Sequence, residues 1–203
     1  LAKRGVRHIK FWDELFAFQE NRVLDICDSI IASGWRFNIW AYARPDTVSR
    51  AALSAMKDAG INWLAYGFDD KCRRGHIRRT VTMTHDAGIN IIGNFMYGLE
   101  GSDNGIGDFA RSLNIEWANF YTALPYPGSS WYKEQSSPIT DWGWYNQYRE
   151  GLNPARDKAF NDFFSDPEYQ ARIEKQFGRK AVEHIRQMLC SNIRKEPIMG
   201  GVK

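Results

Sequence analysis

Two stretches of the chain begin with the same five residues, "DAGINWLAYGFDD" from Asp58 and "DAGINIIGNFMYGLEG" from Asp86, 28 residues apart. In each, an apolar-periodic segment ends at a glycine, Gly60 or Gly88, and an apolar run starts one residue later. Glycine reaches positive φ without cost, which suits the position just past a helix C-terminus. The phrase is therefore a helix-to-strand junction, and its spacing matches one strand, one helix and two loops. Looser copies flank it. "IIASGWRFNIWAYARPD" places Gly34 between a helical pattern over 21–33 and a run over 37–43, and "RSLNIEWANFYTALPYPG" uses Asn114 at the same point. Gly5 precedes a short strand over 8–12. Five strands then alternate with helices over 21–33, 47–59, 77–87 and a shortened one over 108–113, which predicts a parallel sheet, closed into part of a barrel or open and doubly wound.

Either architecture gathers function in the loops after the strand C-termini. There stand Asp13 and Glu14 in "WDELF", Arg44 in "YARPD", Asp69 and Asp70 in "YGFDD", Glu100 in "YGLEG" and Tyr126 in "PYPGS". Lone carboxylates after strands also serve as helix caps, and Asp46 is read as the cap of the following helix. His85, in the last turn of its helix, and His8, His76 and His184 are read as structural. Cys27 lies at a core-like helical position, whereas Cys72 beside Arg73 and Arg74 is the thiol with a basic neighbourhood.

Composition narrows the classes. A net charge of +3, spread evenly, argues against nucleic acid or an anionic membrane as partner. No window reaches the roughly 18 to 20 apolar residues of a membrane span, and three dispersed cysteines, Cys27, Cys72 and Cys190, suit a reducing compartment, so the chain reads as cytoplasmic. No metal-ligand spacing is written in it. Residues 1–130 form the strand-and-helix domain. Residues 131–154, rich in Trp, Tyr, Gly and Pro, read as an irregular aromatic segment, and 155–203 as a helical extension in which Asp166, Pro167 and Gly178 punctuate one helix. From these residues alone three functions stay open: a barrel-type hydrolase using a pair among Asp13, Glu14, Asp69, Glu100 and Glu116, cofactor-assisted chemistry on a nucleoside-like ligand, or a non-catalytic interaction module.

The motifs "GVRHIKFWDELFAF", "ARPDTVSRAALSAMKDAGINWLAYGFDD", "DAGINIIGNFMYGLEGSD" and "IEWANFYTALPYPGSSWY", taken in order, resemble the central and C-terminal strands of radical S-adenosylmethionine (SAM) enzymes. The likeness is to the subgroup that carries a cobalamin-binding domain, and it covers about residues 5–190. It implies an α/β fold: a partial parallel (βα) barrel of about strands 2 to 6, followed by the α-helical extension. It further implies a SAM and substrate rim of Asp13, Glu14, Arg44, Asp69, Asn94, Tyr97, Glu100 and Tyr126, with catalytic residues unassigned. The intact enzyme would cleave SAM reductively to start radical chemistry on a small-molecule substrate, with a four-iron four-sulfur cluster and possible use of cobalamin for methylation. The departures are equally specific. The cysteine-triad loop that holds the cluster is absent, as is the cobalamin domain, so both would come from segments outside this chain; "GFDD" stands for the usual "GIES" and "GLEG" for "GLPG". Alone, the chain is expected to be inert.

Overall fold

The computed structural model describes residues 1–68, 73–99, 105–134 and 142–191. Its strands are β1 His8–Lys10, β2 Asn38–Ala43, β3 Ile61–Phe68, β4 Asn90–Tyr97 and β5 Trp117–Thr122, and between them run α1 Glu20–Ala32, α2 Arg50–Asp58, α3 Arg74–Asp86 and α4 Ile106–Ser112. The five strands are parallel, lie in the order β1-β2-β3-β4-β5 and form a half-barrel. The expected partial barrel is thus the observed one. After it come α5 Ser130–Lys133, α6 Trp142–Ser165, α7 Pro167–Phe177 and α8 Arg179–Cys190.

The junction glycines adopt the conformation their spacing predicts, with φ of +89° at Gly60, +74° at Gly88 and +69° at Gly34; Asn114, at φ +55°, does the same work without being glycine. Strand alternation then sorts the side chains. Ile39, Ala41 and Ala43 of β2, Leu64, Tyr66 and Phe68 of β3, and Ile91 and Phe95 of β4 are buried on the helix-covered face with Val23, Cys27, Leu53, Met56, Ile77 and Val81. Each large aliphatic side chain sealed there stabilises the fold by roughly 1.5–3 kcal/mol. The alternate residues, Asn38, Trp40, Tyr42, Trp63, Ile92, Asn94, Trp117 and Asn119, are half-buried on the other face.

Two local expectations change. The cap of α2 is Ser49, whose hydroxyl accepts from the Ala52 N–H at 3.1 Å, and not Asp46, which is held instead by Arg44. The aromatic segment 131–154 is not wholly irregular: α5 starts at a Ser129 cap, and α6 runs through Pro154.

By packing, the chain divides into two compact units, Leu1–Phe95 with Ser112–Asn119, and Met96–Arg111 with Phe120–Lys203. Within the second, Phe163 and Phe164 meet Tyr169 with ring centroids 4.7 and 5.6 Å apart, and Ile173, Val182 and Ile185 complete a helical core.

Candidate functional site

The C-terminal ends of β1, β2, β3 and β4 surround a pocket of about 290 Å³ lined by Trp12, Glu14, Tyr42, Arg44, Gly67 and Asn94 among others. Three of the residues singled out in the sequence, Glu14, Arg44 and Asn94, are therefore brought together from separate segments. Glu14 is exposed and has no hydrogen-bond or ion-pair partner among the described residues. The Arg44 guanidinium forks onto Asp46, Nε to Oδ1 and Nη2 to Oδ2, both at 2.9 Å. That hydrogen bond holds the Asp46 carboxyl below its usual range. The loop carrying Arg44 is anchored from α3, where the Thr80 hydroxyl donates to the Pro45 carbonyl at 2.9 Å and His76 Nε2 stands 3.1 Å from the same oxygen. Asn94 donates through Nδ2 to the Tyr66 carbonyl at 3.1 Å and accepts from Asn119 Nδ2 at 2.9 Å, while Trp117 Nε1 donates to Asn119 Oδ1 at 2.9 Å. This amide relay ties β5, β4 and β3 together on the open face and fixes the Asn94 side chain.

Asp13 and Tyr97 are not among the residues that line this pocket. Asp13 is 2.8 Å from Arg22 and accepts from the Leu15 N–H at 3.1 Å, so it shapes its turn and does not line the pocket; both side chains are well exposed, and the pair is worth at most about 1 kcal/mol. Tyr97 falls on the helix-facing side of β4 and is buried, its ring 6.4 Å from Phe120. Tyr126, in the second unit, is exposed and stacks on Tyr145 at 5.9 Å. Asp69, Glu100 and Cys72 lie outside the described residues. Glu116 sits at the opposite, strand-entry end: it is buried, accepts from the Ile91 N–H at 2.7 Å and stands 3.2 Å from His85 Nε2. Among the described residues no two carboxylates face one another across the pocket, as a glycosidase pair would.

The sequence reading missed the trough below this pocket. It has a volume of about 680 Å³ and is walled by Trp40, Trp63, Trp117 and Ile92, with Lys10, Asn38 and Asn119. Lys10 Nζ lies 4.1 Å above the Trp40 ring, 4.2 Å above Trp12 and 5.1 Å above Tyr42, contacts worth roughly 0.5–1 kcal/mol each at an exposed site. The signal was present as Trp and Asn two residues apart, in "NIW" and "WAN".

No family model matches the chain. A curated relative, an uncharacterized methyltransferase of Pyrococcus horikoshii, is 27% identical over 140 residues, which is 62% of this chain and 30% of the relative. Two solved structures of the radical SAM methyltransferase TsrM from Kitasatospora setae share the fold. The one with cobalamin and a four-iron four-sulfur cluster bound superposes with a TM-score of 0.55 at 17% identity, over 62% of this chain and 28% of that one. The one with tryptophan substrate and a SAM analogue bound gives 0.53 at 16%, over 59% and 28%. The resemblance to cobalamin-binding radical SAM enzymes thus stands in the fold. The chain spans less than a third of the length of each of these proteins.

The described residues do not fit an iron–sulfur cluster. No group of three His, Cys, Asp or Glu among them could hold a metal ion, and Cys27 is sealed in the core while Cys190 lies far along the chain on α8. SAM fits better. A free carboxylate, a guanidinium, an amide and two aromatic faces around one pocket match its ammonium and ribose hydroxyls, its carboxylate, its adenine edge and its sulfonium.

Proposed function

We propose that the chain forms part of the SAM and substrate site of a cytoplasmic radical SAM enzyme, of the cobalamin-dependent methyltransferase kind, whose cluster and cobalamin are held by residues outside those described. One observation carries the reading: Glu14 after β1, Arg44 after β2 and Asn94 on β4 converge around a pocket of about 290 Å³, on a fold shared with a radical SAM methyltransferase. In this role Glu14 would hold the SAM ammonium or ribose, Arg44 its carboxylate and Asn94 the adenine or ribose edge, with the Trp12 and Tyr42 rings beside them. Asp69 and Glu100 belong to the same proposal.

Isothermal titration of SAM into the full-length protein tests it. Glu14→Gln and Arg44→Gln should each weaken binding about 10- to 100-fold, the worth of one charge-assisted contact. Absent SAM binding, or unchanged affinity in both variants, would overturn the assignment.

A further inference from the structure

We propose that the trough beneath the pocket takes a planar, π-rich small molecule bearing an anionic group, an inference that rests on the proposed SAM site above it. Trp40, Trp63 and Trp117 present indole surface from β2, β3 and β5, and Ile92 of β4 lies among them. Broad aromatic faces of this kind favour a flat guest, because ring stacking adds to area burial.

Charge decides the rest. Among the described residues the lining of the trough carries Lys10 and His8 but no Asp or Glu, and the other polar side chains, Asn38 and Asn119, are uncharged amides. Lys10 has no ion-pair partner among the described residues; its ammonium rests instead against three aromatic rings, which hold a cation in place without neutralising it. A cationic guest would be repelled by that charge, whereas a carboxylate or phosphate would complete the pair. Lys10 also touches Trp12 and Tyr42, which line the upper pocket, so the anionic end of the guest is placed toward the SAM site.

Three probes that share one ring system test this in the full-length protein: 2-naphthoate, 2-naphthalenemethanol and 2-naphthylmethylamine, followed by calorimetry and ligand-observed NMR. The naphthoate should bind at least about tenfold tighter than the alcohol, and the amine weakest. Lys10→Met should bring the acid and the alcohol to within about twofold of each other, and Trp63→Ala should weaken all three, with circular dichroism confirming that both variants fold. Equal binding of the three probes, binding of none, or a preference that survives Lys10→Met overturns the inference. So does affinity that falls with protein concentration, as a second copy seated in the trough would give. SAM titrated on the same samples separates the two readings: SAM binding without discrimination among the probes sinks the ligand class alone, and discrimination without SAM binding sinks the proposed function while supporting the trough.

Discussion

Cys27 and Glu116 are polar groups that the fold removes from water in different ways. Cys27 is fully buried on α1, and burial first, then the charges of Asp28 and Asp58, pushes its thiol up to about 11. The sign of the linkage follows. A group whose folded pKa is raised contributes stability that is fully present below its unfolded value, near 8.5, and is lost as pH rises through the folded one. Thermal melts from pH 8 to 11 should therefore show a loss of stability that Cys27→Val reduces, and folded protein at pH 8 should alkylate at Cys190 while Cys27 stays protected. Glu116 is buried in a different manner, its carboxylate taking the Ile91 N–H. Glu116→Ala leaves that donor unmatched and should cost roughly 1–3 kcal/mol in urea denaturation, with Glu116→Gln recovering part of it. An unchanged midpoint for the alanine variant would mean that water replaces the carboxylate.

The repeated helix-to-strand junction makes a sharper comparison, because identical words sit in different surroundings. At Gly60 an added Cβ would stand 2.4 Å from the Phe37 carbonyl oxygen, a backbone atom that cannot step aside; at Gly88 it would meet only the Lys57 side chain, at 3.5 Å. Both have positive φ, so both alanine variants bear the roughly 1–2 kcal/mol cost of that conformation, and Gly60→Ala should be the more damaging by at least about 1 kcal/mol. Equal losses in denaturant titration would show that Phe37 yields. These junctions were legible because positive φ leaves so few residues to choose from, and the strand ends they announce led directly to Glu14 and Arg44, whereas Asn94 came from the family resemblance. The helix α6 was hidden because Gly143, Gly151 and Pro154 interrupt its pattern and resemble loop punctuation. The trough was hidden for another reason. A strand such as "NIWAYA" is apolar on both faces, so nothing in it tells which alternate residues turn toward the helices and which toward the open side; Trp40 joins Trp63 and Trp117 only when the register is known.

For the whole molecule the half-barrel leaves an edge. Arg7 and Phe11 exchange backbone hydrogen bonds with Asn38 and Trp40, so the alternate residues His8 and Lys10 direct their N–H groups away from β2, and β1 has no second partner strand among the described residues. Edges of that kind recruit other chains. The 203-residue chain expressed alone should associate as its concentration rises, and His8→Pro, which removes an outward donor at a position where an edge strand accepts proline, should lower the association measured by light scattering. A chain that stays monomeric with or without the substitution would show that the edge is already protected.

The aromatic wall also gives the protein an optical property. Four of its eight tryptophans, Trp12, Trp40, Trp63 and Trp117, line the pocket or the trough. Light absorbed near 295 nm is therefore re-emitted in large part from the surface where ligands are proposed to arrive. Any guest that absorbs in the near ultraviolet, or that displaces water from those indoles, would dim or blue-shift the emission without a label being attached, and the protein would report its own occupancy.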